Sequence, residues 1–84
     1  MSKKPLTPPK PGDILTGRVV ELVPAGEGHF HRIIEVDDWG LPVFYAASED
    51  RALSDKETMA LGMHVRVTLK NETVGGIPAV GPAS

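Results

Sequence analysis

Residues 27 to 40, EGHFHRIIEVDDWG, hold the densest group of side chains able to do chemistry in this chain. His29 and His31 flank Phe30, Arg32 follows directly, and Trp39 closes the stretch before Gly40. Two imidazoles at i and i+2 share one face of a strand, and with Glu27 or Glu35 they have the donor types that zinc accepts. The same group also suits unpaired nucleotides, with flat rings to stack on bases and a guanidinium to meet a phosphate. The plainest alternative is a half-buried strand whose aromatics pack in a core or at its rim.

The metal reading is weak, because same-face histidine pairs arise often by chance and the chain has no cysteine to support them. No cofactor is expected. Catalysis is weaker still: there is no nucleophile elbow, no phosphate-binding glycine loop and no dinucleotide fingerprint. Asp37 and Asp38 are adjacent, so on a strand they point to opposite faces, and they suit the turn before Trp39 better than an acid/base pair. Enzyme activity is not expected.

The elements that must position these residues are short. DILTGRVVELV mixes β-branched and polar residues at a period near two and reads as a first strand; PAGEG reads as a loop. HFHRIIEV is a second strand ending at DDWGLP, and VFYAA a short third one. On the second strand Phe30, Arg32, Ile34 and Val36 share one face, and His29, His31, Ile33 and Glu35 the other. Either face can be inward, and a bulge near Arg32 would let both Phe30 and Ile33 reach a core. Ser54 and Glu57 form a capping box within SEDRALSDKETMALG, which predicts a short helix or helical turn. MHVRVTLK alternates without error, placing Met63, Val65, Val67 and Leu69 opposite His64, Arg66, Thr68 and Lys70. NETVGG reads as a turn and IPAVGPA as a last strand, with Pro78 at an edge or bulge. Trp39 fits a lid on one end of the fold better than a stacking surface.

Five strands with one helical segment between the third and fourth predict an all-β, five-stranded OB-type Greek-key barrel; an SH3-like barrel is the nearest competitor. The 84 residues suffice for one small domain. Residues 1–12, with four prolines and three lysines, read as a flexible arm, and residues 13–84 as the barrel. The arm carries plus 3 because it has no acid, so the net charge of minus 2 leaves minus 5 on the rest. That balance excludes a uniformly basic nucleic-acid clamp. No apolar run is long enough for a membrane span, and the absence of cysteine suits a reducing, cytoplasmic setting.

The order of short motifs resembles a bacterial cold-shock domain over residues 17 to 82. GRVVEL is similar to that family's first-strand start, EGHFHRI to its E-K-G-F-G-F-I, and PVFYAAS to its D-V-F-V-H-x-S. LGMHVRVTL and GGIPAV resemble its last two strands. PGDILTGRVVELVPAG is equally similar to the start of the OB-type RNA-binding repeat of a large ribosomal protein. The resemblance implies an OB barrel that binds single-stranded RNA or DNA by stacking bases on aromatic side chains, weakly and with strong salt dependence here. By that correspondence Glu21 and Leu22 replace the first-strand aromatics, Arg32 the second phenylalanine of the glycine-phenylalanine motif, and Ala46 a histidine. Phe30 and Phe44 remain, with Tyr45, His29 and His31 beside them. The candidate nucleic-acid site is therefore Phe30, Phe44, His29, His31 and Trp39 for stacking, with Arg18, Arg32, Arg66 and Lys70 for phosphates. The rival expectation is a protein-interaction module of the same shape, offering an acidic surface to a protein partner.

Overall fold

The computed structural model describes residues 8–37, 39–52 and 59–83. Five strands form a closed barrel: β1 (Ile14–Gly26), β2 (His29–Val36), β3 (Pro42–Tyr45), β4 (His64–Val74) and β5 (Ile77–Pro82), in the order β1-β2-β3-β5-β4 with β4 returning to β1. All neighbours are antiparallel except β3 and β5, which run parallel and close the barrel through Phe44–Ala79 and Tyr45–Val80. A 3-10 turn, Ala47–Ala52, follows β3. This is the expected all-β, OB-type barrel with its helical segment between the third and fourth strands. The capping-box residues Ser54 and Glu57 lie outside the described residues, as do Lys3 and Lys4.

The core follows from period-two alternation. Val19 on β1, Ile34 and Val36 on β2, Val43 and Tyr45 on β3, Val67 and Leu69 on β4, and Val80 on β5 turn inward and bury one another, with Met59 added before β4. Each such side chain contributes roughly 1.5 to 3 kcal/mol by leaving water. Trp39 packs against this cluster from the β2–β3 turn, as a lid would.

Hairpin chemistry sets the strand ends. Glu27 and Gly28 both have positive φ, 54° and 79°, which makes a two-residue turn between Gly26 and His29. β1 consequently runs through Pro24 and Ala25, which composition alone assigns to a loop. Gly75 and Gly76 make the same kind of turn between Val74 and Ile77, so β4 likewise extends through most of the expected NETVGG turn. Pro78 pairs with Thr73 beyond a register shift on β4 and just before β5 meets β3, where a missing N–H is tolerated.

Two further glycine turns tie β1 to β4. In Lys10–Asp13 the Asp13 N–H donates to the Lys10 carbonyl at 2.9 Å, and the Gly12 N–H donates to Leu69 O at 2.8 Å. The end of the proline-rich arm is thus docked on β4. In Ala60–Met63 the Met63 N–H donates to Ala60 O, the Gly62 N–H to Val19 O, and the Val19 N–H to Met63 O. The expected bulge near Arg32 is not on β2: the register shifts fall on β1, between Val19 and Glu21, where Val20 is turned outward, and between Pro24 and Gly26.

Candidate nucleic-acid interface

Alternation on β2 decides which candidates share a surface. Arg32, Ile34 and Val36 are buried inward, so His31, Ile33 and Glu35 face out. The cross-strand partners extend that outer face. Val23 and Glu21 of β1 stand opposite His31 and Ile33, and Phe44 of β3 stands on the other side of Ile33. The imidazole of His31 and the ring of Phe44 meet with centroids 4.9 Å apart, tilted by 43°. Both residues are partly exposed, and together with Ile33 and Val23 they make a half-exposed apolar strip on the outside of β1, β2 and β3.

His31 is held in place from the chain after β3. The Ala47 N–H, at the start of the 3-10 turn, donates to His31 Nδ1 at 3.0 Å. That satisfies a backbone donor which the turn itself leaves open. A nitrogen that accepts a hydrogen bond carries no proton, so the ring is the neutral Nε2–H tautomer in this arrangement.

Arg32 requires a correction. The resemblance placed it on the binding surface, at the position of a stacking aromatic, but it is 5% exposed and points into the barrel end. Its Nε donates to Met59 O at 3.0 Å and its Nη1 to Phe30 O at 2.9 Å. A guanidinium committed to internal carbonyls does not meet a phosphate; it fastens the segment entering β4 to β2. The physical reason is register: with Ile34 and Val36 in the core, two-residue periodicity sends Arg32 inward as well.

Phe30 shares Arg32's face rather than that of Phe44. It lies beyond the closed part of the barrel on the β1–β2 hairpin, opposite Pro24, and is 39% exposed. The two phenylalanines therefore do not form one platform. His29 is exposed at the hairpin tip, and Trp39 is half-buried against the core at the β2–β3 turn, away from the His31–Phe44 pair.

The cations divide in the same way. Arg18 and Arg66 are exposed and form no ion pair among the described residues. Arg18 lies on the outer face between Glu35 of β2 and His64 of β4. Lys70 is occupied: its Nζ donates to Glu49 at 2.7 Å and approaches Glu72 at 3.0 Å. The bonds to Glu49 and then Glu72 raise its pKa above the usual lysine value. His64 Nε2 meets Asp37 Oδ2 at 2.6 Å. Among the described residues no group of three His, Cys, Asp or Glu side chains could hold a metal ion. No described helix is long and apolar enough to cross a membrane.

Sequence reasoning missed two features. Ile33 and Val23 belong to the outer strip, a placement that only the β2 register reveals. Val20, Leu61 and Met63 are exposed, and the bonds between Val19 and the Ala60–Met63 turn bring them together at the middle of β1. The β1 bulge has no signature in the residue pattern.

Strand order, the parallel β3–β5 closure and the 3-10 turn between the third and fourth strands define a small OB-type barrel protein. Compared with known protein families, curated proteins and solved structures, the chain matches none of them.

Proposed function

We propose that the protein is a cold-shock-like module that binds single-stranded RNA or DNA across the outer face of β1, β2 and β3. The observation that carries this reading is the His31–Phe44 ring pair, set outward on the two neighbouring strands β2 and β3 of that face. Stacking one base on such a surface is worth roughly 1 to 3 kcal/mol. Arg18 supplies an exposed cation with no ion pair among the described residues, and Arg66 a second on β4. With about two phosphate contacts the logarithm of affinity falls with the logarithm of salt at a slope of roughly −1.5. Binding is accordingly weak and salt-sensitive, as the acidic balance of the barrel requires.

Titration of a labelled pyrimidine-rich oligomer at low salt, followed by backbone amide shifts, tests the reading. Shifts are expected at residues 18–23, 31–35 and 43–47. Phe44→Leu, which keeps apolar packing but removes the ring, weakens binding about fivefold or more. Phe30→Ala, on the opposite face, changes it little. Absence of shifts in the first three strands refutes the proposal.

A second reading draws on the exposed Val20, Leu61 and Met63 and on the engagement of Lys70 and His64 by carboxylates. These favour a protein partner at the mid-strand bulge of β1. A Leu61→Ser variant that loses a protein partner while keeping oligomer binding would place that contact apart from the ring pair.

A further inference from the structure

We infer that the protein self-associates through the mid-strand bulge of β1, two copies meeting at Val20 about a two-fold axis that sets Arg18 of each copy against Glu21 of the other. The inference deepens the second reading above by naming the protein partner as another copy of this chain.

Val20 is the extra residue of the bulge. Val19 stands opposite Ile34 and Glu21 opposite Ile33, so Val20 has no partner on β2. On the other side the β1–β4 pairing runs only to Arg18 and His64, and beyond it the Ala60–Met63 turn bonds Val19 instead. Val20 is left exposed, with the exposed Leu61 and Met63 of that turn beside it. Apolar exposure that is grouped rather than scattered marks a contact surface.

The neighbouring charges point to what covers it. Arg18 and Glu21 are both exposed on the outer face, one on each side of Val20 along β1, and neither has an ion pair among the described residues. Glu35 stands across from Arg18 on β2 without bonding it. At about 3.3 Å per residue, Arg18 and Glu21 are roughly 10 Å apart. A surface with one free charge of each sign on either side of an apolar centre is complementary to itself. Turned by a two-fold axis crossing β1 near Val20, β1 of a second copy lies antiparallel over the first, with the order of its charges exchanged. Both Arg18–Glu21 pairs then form at once at the rim, and Val20 meets its counterpart at the centre with Leu61 beside it. A partner of a single charge sign would satisfy only half of this surface. The apolar centre is small, so association is weak, and the rim charges set its register more than its strength. Arg18 is also a phosphate contact in the proposed function, so self-association and oligomer binding compete for it.

Sedimentation equilibrium of the full chain at low salt, from about 10 μM to 1 mM, tests the contact. The parent is expected to move from monomer toward dimer across that range. Arg18→Glu and Glu21→Arg each put like charges in both pairs, and each should weaken association about tenfold or more. Mixed one to one, the two variants should associate about as well as the parent. In the mixed dimer the introduced carboxylate meets the introduced guanidinium, and the retained Glu21 meets the retained Arg18. Arg66→Glu makes the same change in net charge as Arg18→Glu but on β4, away from the axis, and should leave association near that of the parent. Leu61→Ser should weaken it about threefold or more by removing apolar contact. In the unsubstituted protein, amide shifts on dilution should be confined to residues 18–21 and 60–63. A monomer throughout, a mixture no more associated than its components, a loss in Arg66→Glu equal to that in Arg18→Glu, or full association in Leu61→Ser overturns the inference. Both readings of function, which have their own tests, stand in that case.

Discussion

Gly17 is the position where a single methyl group should do the most damage. It is buried on β1, paired with Val36 on one side and Val65 on the other. A Cβ there would stand 2.4 Å from the Glu35 carbonyl oxygen and 2.8 Å from Ile34 Cγ2. Ordinary contact begins near 3.4 Å, so a methyl group at this position would require about 1 Å of separation between β1 and β2, against backbone that cannot rotate away. Overpacking of this kind costs about 1 to 3 kcal/mol. The restricted unfolded chain returns only about 0.4 to 1 kcal/mol. Gly17→Ala is therefore expected to destabilise the barrel by about 1 to 2 kcal/mol. The single tryptophan, Trp39, packs on the core and reports unfolding by its fluorescence. With a urea m-value on the order of 1 kcal/mol/M, the midpoint should drop by about 1 to 2 M. A midpoint equal to or above that of the parent would refute the argument that β1 and β2 are in fixed close approach. Arg18 and Glu35 sit on the outer side of this pairing, so the same variant should also weaken oligomer binding.

Two further outcomes follow from the polar groups. The ion pairs of Lys70 raise its folded-state pKa, so their contribution is fully present below the unfolded value of about 10.5 and is lost as pH rises through the folded one. Thermal unfolding of the parent and Lys70→Met should therefore differ by a constant amount at neutral pH and converge in strongly alkaline solution; a gap that widens there would contradict this sign. Added salt should also narrow the gap, since the group is partly exposed. Thr68 Oγ1 is buried without a partner among the described residues, and Thr68→Val keeps the β-branch while removing that hydroxyl. Its stability should be unchanged or higher by up to about 1 kcal/mol, and a loss above that in urea titration would show that the hydroxyl is satisfied.

Much of the barrel is legible in the residue pattern. Met63 to Lys70 alternates so regularly that the inward set Val67 and Leu69 can be assigned without coordinates, and the glycines of the two hairpins mark the chain reversals. The second strand is different. Residues 29 to 36 carry an apolar or aromatic side chain on both faces, so alternation alone allows Phe30 and Arg32, or His31 and Ile33, to be outward. Burial of Ile34 and Val36 against Val19 and Val43 decides between them, and that decision belongs to partners distant in sequence. The same packing explains why Arg32, placed by resemblance on the binding surface, is found inside.

Strand periodicity, glycine turns and composition are local properties, and they suffice to specify a small all-β barrel with one helical segment. They also name the rings and cations from which a binding face could be built. Which of those side chains share a face is a matter of strand alignment and of packing between distant segments. His31 meets Phe44 through the β2–β3 register, Lys70 is taken by Glu49 across the 3-10 turn, and Ala47 determines which imidazole nitrogen bears the proton. The first depends on strand alignment, which a one-residue shift would reverse, and the other two on how the 3-10 turn packs against β2 and β4.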